Sequence, residues 1–204
     1  MTSQFAMVFG ALVCVLLLGA DPNLPHDHQG SLDPFEPGPP PPLSASEQAS
    51  LAAGKSVQKT VELENSQGAR ALASFHVAAS PEVVWACIND IRAYPRMVPG
   101  VSAIDVYAES ASRGAKLTSA KYTIALLGYK LSYYVAMRYD PRASCMTFKL
   151  DYSRLSDVDD AVGYWHVAPH VGVDGEPGAR DHPSRILRPR ARVTVCPRGA
   201  QARS

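Results

Sequence analysis

SPEVVWACINDIRAYPRMVPG, residues 80–100, is the stretch whose reading decides the fold. Ser80 is a favourable N-cap, Pro81 suits the first helical position, where no N–H is needed, and Glu82 meets the positive end of the helix dipole. Val84, Cys87, Ile88 and Ile91 recur at i, i+3, i+4 and i+7 with Trp85 beside them, so one stripe of this helix seeks a core. Tyr94-Pro95 and Val98-Pro99-Gly100 then end it, because proline removes a donor and biases the residue before it away from helical angles. A short capped helix leading into a stiff apolar turn is expected.

On both sides of this helix the period is two. Residues 56–64 alternate loosely, 65–68 form a turn, and Ala71, Ala73, Phe75 and Val77 alternate with Leu72, Ser74 and His76. After the helix, Ile104, Val106 and Ala108 alternate with polar neighbours, and 110–114 make a turn. Ala120, Tyr122, Ile124 and Leu126 form one parity of the next strand, and Gly128 breaks the run. Tyr133, Val135, Met137 and Tyr139, then Met146, Phe148 and Leu150, carry the same pattern onward. Residues 157–169 read as one more strand entered through an acidic turn. Asp157, Asp159 and Asp160 lack the glycine and distal glutamate of a calcium loop and read as a solvated turn. These are consecutive antiparallel strands, each with one apolar face.

The ends differ from this middle. Residues 5–20 are an uninterrupted apolar run, short for a membrane span and suited to a secretory leader, so residues 1–20 read as a signal peptide or a hydrophobic anchor. The corresponding location is the secretory pathway or outside the cell, or a membrane held through residues 5–20. Residues 21–55 are rich in Pro, Ser and acidic residues and read as a disordered linker, since they offer little apolar surface to offset ordering entropy. His26 and His28 stand in this tract without a third ligand and are read as solvated, with no metal site expected. Residues 171–204 are an irregular Arg/Pro-rich tail in which only 191–196 have strand character.

The 46% hydrophobic content supplies a core, and a formal net charge of +1 gives no electrostatic reason for a nucleic-acid partner. Cys14, Cys87, Cys145 and Cys196 form no CxxC pair, which points to unpaired thiols rather than a zinc site or disulfide framework.

The order of elements, the segment FHVAASPEVVWACINDIRAYPRMVPGV, the tyrosine-rich LSYYVAMRYDP and the late VGYWHVAP together resemble the START-type coenzyme Q-binding family of the polyketide cyclase/dehydrase and lipid-transport superfamily. The resemblance covers about residues 57–169. It implies an α+β helix-grip domain over residues 56–170: an antiparallel sheet with a short helical insertion after the first strand and a long C-terminal helix closing an apolar cavity. Pro183, Pro189 and Pro197 exclude that continuous helix here, so the tail reads as lacking it and as outside the family frame, through missed splicing or a frameshift.

The resemblance implies a carrier or chaperone for a hydrophobic small molecule, an isoprenoid quinone or another lipid, with transient membrane contact, no cofactor and no catalytic residue. The inward parity assigns Tyr122, Ile124, Tyr133, Val135, Met137, Phe148 and Trp165 to the ligand wall, and the turn at Met97 and Val98 to its entrance. The alternatives are a cyclase or dehydratase of the same superfamily, which needs an acid/base pair inside the cavity, and a non-functional truncated product. His76 falls on the polar parity, and neither GxSxG nor HExxH occurs.

Overall fold

The structure, a computed structural model, describes residues 20–62, 69–126, 129–171 and 189–198. Eight antiparallel strands make one sheet: β1 (Val57–Glu62), β2 (Ala69–Val77), β3 (Val101–Ser112), β4 (Ala115–Leu126), β5 (Tyr129–Asp140), β6 (Cys145–Leu150), β7 (Val162–Val171) and β8 (Pro189–Arg198). Their order across the sheet is β1-β2-β8-β7-β6-β5-β4-β3. Among the described residues three short α-helices accompany it: α1 (Ala45–Ala52), α2 (Pro81–Asn89) and α3 (Tyr94–Met97), the last two joined by a 3-10 turn at Ile91–Ala93.

The sheet order explains why residues 80–100 matter. β2 and β3 are consecutive in sequence but six strand spacings apart, roughly 29 Å. The chain between them must cross one whole face of the sheet, and α2, the 3-10 turn and α3 are that crossing. Val84, Trp85 and Ile88 are the buried residues of α2, with Pro81 at its start as expected. They join Ile91 in a cluster with Ala120, Tyr122, Val135, Met137, Met146 and Val167. Tyr94 locks the exit of α2, its hydroxyl donating to the Ile88 carbonyl at 2.7 Å.

β3 runs to Ser112, beyond the turn expected at 110–114. Arg113 and Gly114 both take positive φ, +51° and +84°, which is the two-residue reversal that matches strand twist. Register shifts between Val101 and Ala103 and between Val106 and Ala108 interrupt this edge strand; bulges of this kind bend a strand and blunt an edge.

Two readings from sequence need correction. Residues 21–55 are not a disordered linker. Asp21 bridges Leu155, His26 donates its amide to the Tyr152 carbonyl at 3.0 Å, and Phe35 packs against Tyr164 on the outer face of the sheet. The ordering entropy is offset mostly by hydrogen bonds to the β6–β7 loop, which composition does not reveal. Within the same stretch Ser44 and Glu47 form a capping box that starts α1. Ser44→Ala should therefore cost about 1 kcal/mol, seen as a small loss of helicity and of unfolding midpoint.

The acidic turn is likewise not solvated. The Asp160 carboxylate, 6% exposed, accepts from the Ser31 and Leu32 amides at 2.6 and 3.0 Å, from the Ser31 hydroxyl at 3.2 Å, and from the Tyr152 hydroxyl. Asp157 accepts the Ser132 amide at 2.6 Å. β7 accordingly begins at Val162 rather than at 157.

Residues 189–198, placed from sequence in an irregular tail, pair with β2 on one side and β7 on the other. The apolar run at 5–19, the turn at 65–68 and the C-terminal helix question at 172–188 and 199–204 lie outside the described residues. Among the described residues no helix is long and apolar enough to cross a membrane. Cys87 is an exposed free thiol and Cys145 a buried one.

Candidate functional site

Pleat and register decide which side chains share the face that α2 crosses. Tyr122 pairs with Tyr133, Ala120 with Val135, Met137 with Phe148, and Met146 with Trp165, so these residues stand on one face of four adjacent strands. Of the residues assigned to the ligand wall, Tyr122, Val135 and Met137 are buried in the central cluster, while Tyr133, Phe148 and Trp165 pack against it half-buried. Ile124 lies at the end of β4, 3.9 Å from where a side chain on Gly100 would begin. Met97 and Val98 are 47% and 39% exposed. They sit next to that end, where the Ala125 amide donates to the Gly100 carbonyl.

The wall is aromatic. Tyr122 and Tyr133 stack at 5.5 Å between ring centroids, Tyr94 meets Tyr122 edge-on at 6.3 Å, and Trp85 lies 4.5 Å from Tyr139. Burial pushes the Tyr94 hydroxyl up to about 12, helped by Asp90 and Cys87, and it drives Tyr122 and Tyr133 upward as well. Burial disfavours the phenolate, so at neutral pH these groups stay protonated and act as hydrogen-bonding phenols, not as bases. Tyr122 spends its proton on the Met137 sulfur at 3.5 Å.

One polar atom of this cluster escaped the sequence reading. Trp85 is 7% exposed and its Nε1–H is buried without a hydrogen-bond partner. The signal was available, since Trp85 flanks the apolar stripe of α2, but only the packed structure shows the donor unsatisfied. His76 and His166 lie on the opposite parity from Phe75 and Trp165, away from the wall. His76 instead stacks on His170 at 3.9 Å.

A cleft of about 740 Å³ lies on the other face, beneath the strap of Pro34, Phe35, Glu36 and Pro37. Glu36, Arg138, Asp140 and Lys149 line it, and Arg138 and Asp140 are paired at 3.1 Å. Its lining mixes these charges with Phe35, Leu117, Met137 and Phe148, the last two being residues also assigned to the ligand wall. The α2 face, with its aromatic and aliphatic side chains, is the surface suited to an apolar occupant.

The family model for polyketide cyclase / dehydrase and lipid transport matches residues 77–196, from the end of β2 through β8. Among solved structures, the chain is similar to a STAR-related lipid transfer protein from Xanthomonas axonopodis, at 14% identity and a TM-score of 0.53, covering 73% of this chain and 78% of that one. It is also similar to a protein from Thermus thermophilus, at 17% identity and 0.49 over 66% and 75% of the two chains. A Streptomyces aromatase/cyclase follows at 12% and 0.46 over 72% of each. At such identities the likeness is one of fold, and the first of the three carries it. No curated protein matches the chain.

Proposed function

Because the chain belongs to the polyketide cyclase / dehydrase and lipid transport family, we propose that it holds a hydrophobic small molecule against the α2 face of its sheet and serves as a carrier or chaperone for it. The observation that carries this reading is the set Phe75, Tyr133, Phe148 and Trp165: large apolar side chains left partly buried around a centre that is already packed. An apolar ligand laid on this set removes further surface from water, at about 25 cal/mol per Å².

An isoprenoid quinone is the ligand we favour within this class. Its head group carries carbonyl acceptors, and the Trp85 Nε1–H is a buried donor lacking one; a head group that enters the cluster by displacing the side chains over Trp85 relieves this desolvated group. Trp85→Phe keeps the apolar bulk and removes the donor. In equilibrium dialysis against the full chain, a short-chain benzoquinone should bind about 5–10-fold more weakly to this variant, and a hydrocarbon of similar size should be unaffected. Equal losses for both ligands would count against a carbonyl at Trp85 while leaving the apolar wall in place.

Catalysis is the less supported reading. Tyr94, Tyr122 and Tyr133 are held protonated, and both His76 and His166 lie on the far parity. A carrier role requires none of these groups to exchange a proton.

A further inference from the structure

The tripeptide His26-Asp27-His28 gains a fourth member through folding, from 131 residues further along the chain. The His26 ring is fully buried beside the β6–β7 loop, and its Nε2 lies 3.1 Å from the Val158 carbonyl. A carbonyl can only accept, so Nε2 carries a proton, and in the neutral ring Nδ1 presents a lone pair. That Nδ1 is buried and has no hydrogen-bond partner. Its near neighbour is another acceptor, the Asp27 Oδ1, at 3.3 Å. The buried Nδ1 lone pair thus faces an oxygen of a carboxylate that is 70% exposed, an arrangement made favourable by a cation between the two atoms, a proton or a metal ion.

The neighbouring distances describe where that cation fits. His28 Nε2 is 3.8 Å from the same Asp27 oxygen and 3.3 Å from Asp159 Oδ1. The donor atoms of His26, Asp27 and His28 all fall within 4.8 Å of one another. A tetrahedral zinc site with bonds of about 2.0–2.1 Å places its donors about 3.3–3.4 Å apart.

We propose that His26 Nδ1, Asp27 Oδ1 and His28 Nε2 form a binding site for a divalent transition cation of the Zn²⁺ type, with Asp159 Oδ1, 3.3 Å from His28 Nε2, drawn in as the fourth ligand when the ion binds. Two imidazoles and two carboxylates select such an ion over Ca²⁺, which takes six to eight oxygens. The Val158 carbonyl is the outer partner that fixes the His26 tautomer, as metal-bound histidines require. His28 reorganises on binding: its Nδ1 now accepts the Gly30 amide at 2.9 Å, and ligation through Nε2 puts the ring proton on Nδ1, so Gly30 loses that acceptor. The ion clips residues 26–28 to the β6–β7 loop, next to the anchor at Asp160.

The test uses the full chain, stripped with a chelator and titrated with Zn²⁺ against a chromophoric competitor. One equivalent should bind, Co²⁺ in its place should show the intense visible bands of a tetrahedral site, and the Gly30 amide resonance should shift. Asp27→Asn, at a side chain that is 70% exposed, should weaken Zn²⁺ at least 10-fold. Asp159→Asn should do the same, and His26→Gln should abolish binding. Zn²⁺ held equally well by Asp27→Asn and Asp159→Asn, or no binding at tens of micromolar Zn²⁺, would overturn the proposal.

Discussion

Asp160→Ala is expected to release residues 26–37 from the sheet and to cost about 3 kcal/mol, the range for removing one partner from a buried charged network. The carboxylate takes hydrogen bonds from two amides and two hydroxyls, and alanine leaves the Tyr152 hydroxyl and the Ser31 and Leu32 amides without their acceptor. Hydrogen exchange at Ser31 and Leu32 should rise together with a drop in unfolding midpoint. Acid should mimic the substitution. Burial alone would raise the pKa of Asp160, but the hydrogen bonds from Tyr152, Ser31 and Leu32 outweigh it and hold the carboxyl below its usual value. A depressed folded pKa stabilises the protein above the unfolded value near 3.8 and loses that contribution as pH falls through the folded value. Detachment of the N-terminal segment is therefore expected below about pH 4, and exchange at Ser31 that is flat across this window would contradict it.

Trp165→Ala carries the second large effect, on ligand affinity. Trp165 is half-buried on the wall, so a ligand covers its remaining apolar surface. At most about a third of a tryptophan's 150–250 Å² at about 25 cal/mol per Å² comes to about 1–2 kcal/mol, or roughly 5–30-fold in affinity. Dialysis with the same short-chain benzoquinone measures it. The stability cost should be smaller than for a fully buried tryptophan, which separates loss of binding from loss of fold. Unchanged affinity in a folded Trp165→Ala chain would move the ligand away from β7.

The contrast between what was legible and what was not has a physical basis. Alternation in a strand has a fixed period, so parity alone brought Tyr122, Tyr133, Val135, Met137, Phe148 and Trp165 onto one face, and the structure puts them in one cluster with α2. The helix Pro81–Asn89 is legible because its proline and its Val84/Ile88 spacing are local, but Ser80 makes no side-chain cap, Cys87 of the expected stripe is exposed, and Tyr94–Met97, expected as a turn, is helical; that the stretch crosses the whole sheet is a matter of strand order, which no local pattern contains. The N-terminal segment was misread because its order rests on hydrogen bonds to partners more than 120 residues away, at Tyr152, Val158 and Asp160. One signal was present even there: Ser44 followed by Glu47 is the capping-box pattern and marks α1. Residues 191–196 have local strand character, but their insertion between β2 and β7 is a matter of strand order, which no local pattern contains.

The proposal that this chain carries an apolar molecule on its α2 face is most directly tested by extracting the purified full chain with organic solvent and identifying what is released by mass spectrometry. About one apolar molecule per chain is expected, with a carbonyl-bearing head group and an isoprenoid or acyl tail, and less of it from Trp165→Ala. Repeated recovery of a well-folded chain with nothing bound, from cells that supply such lipids, would contradict it.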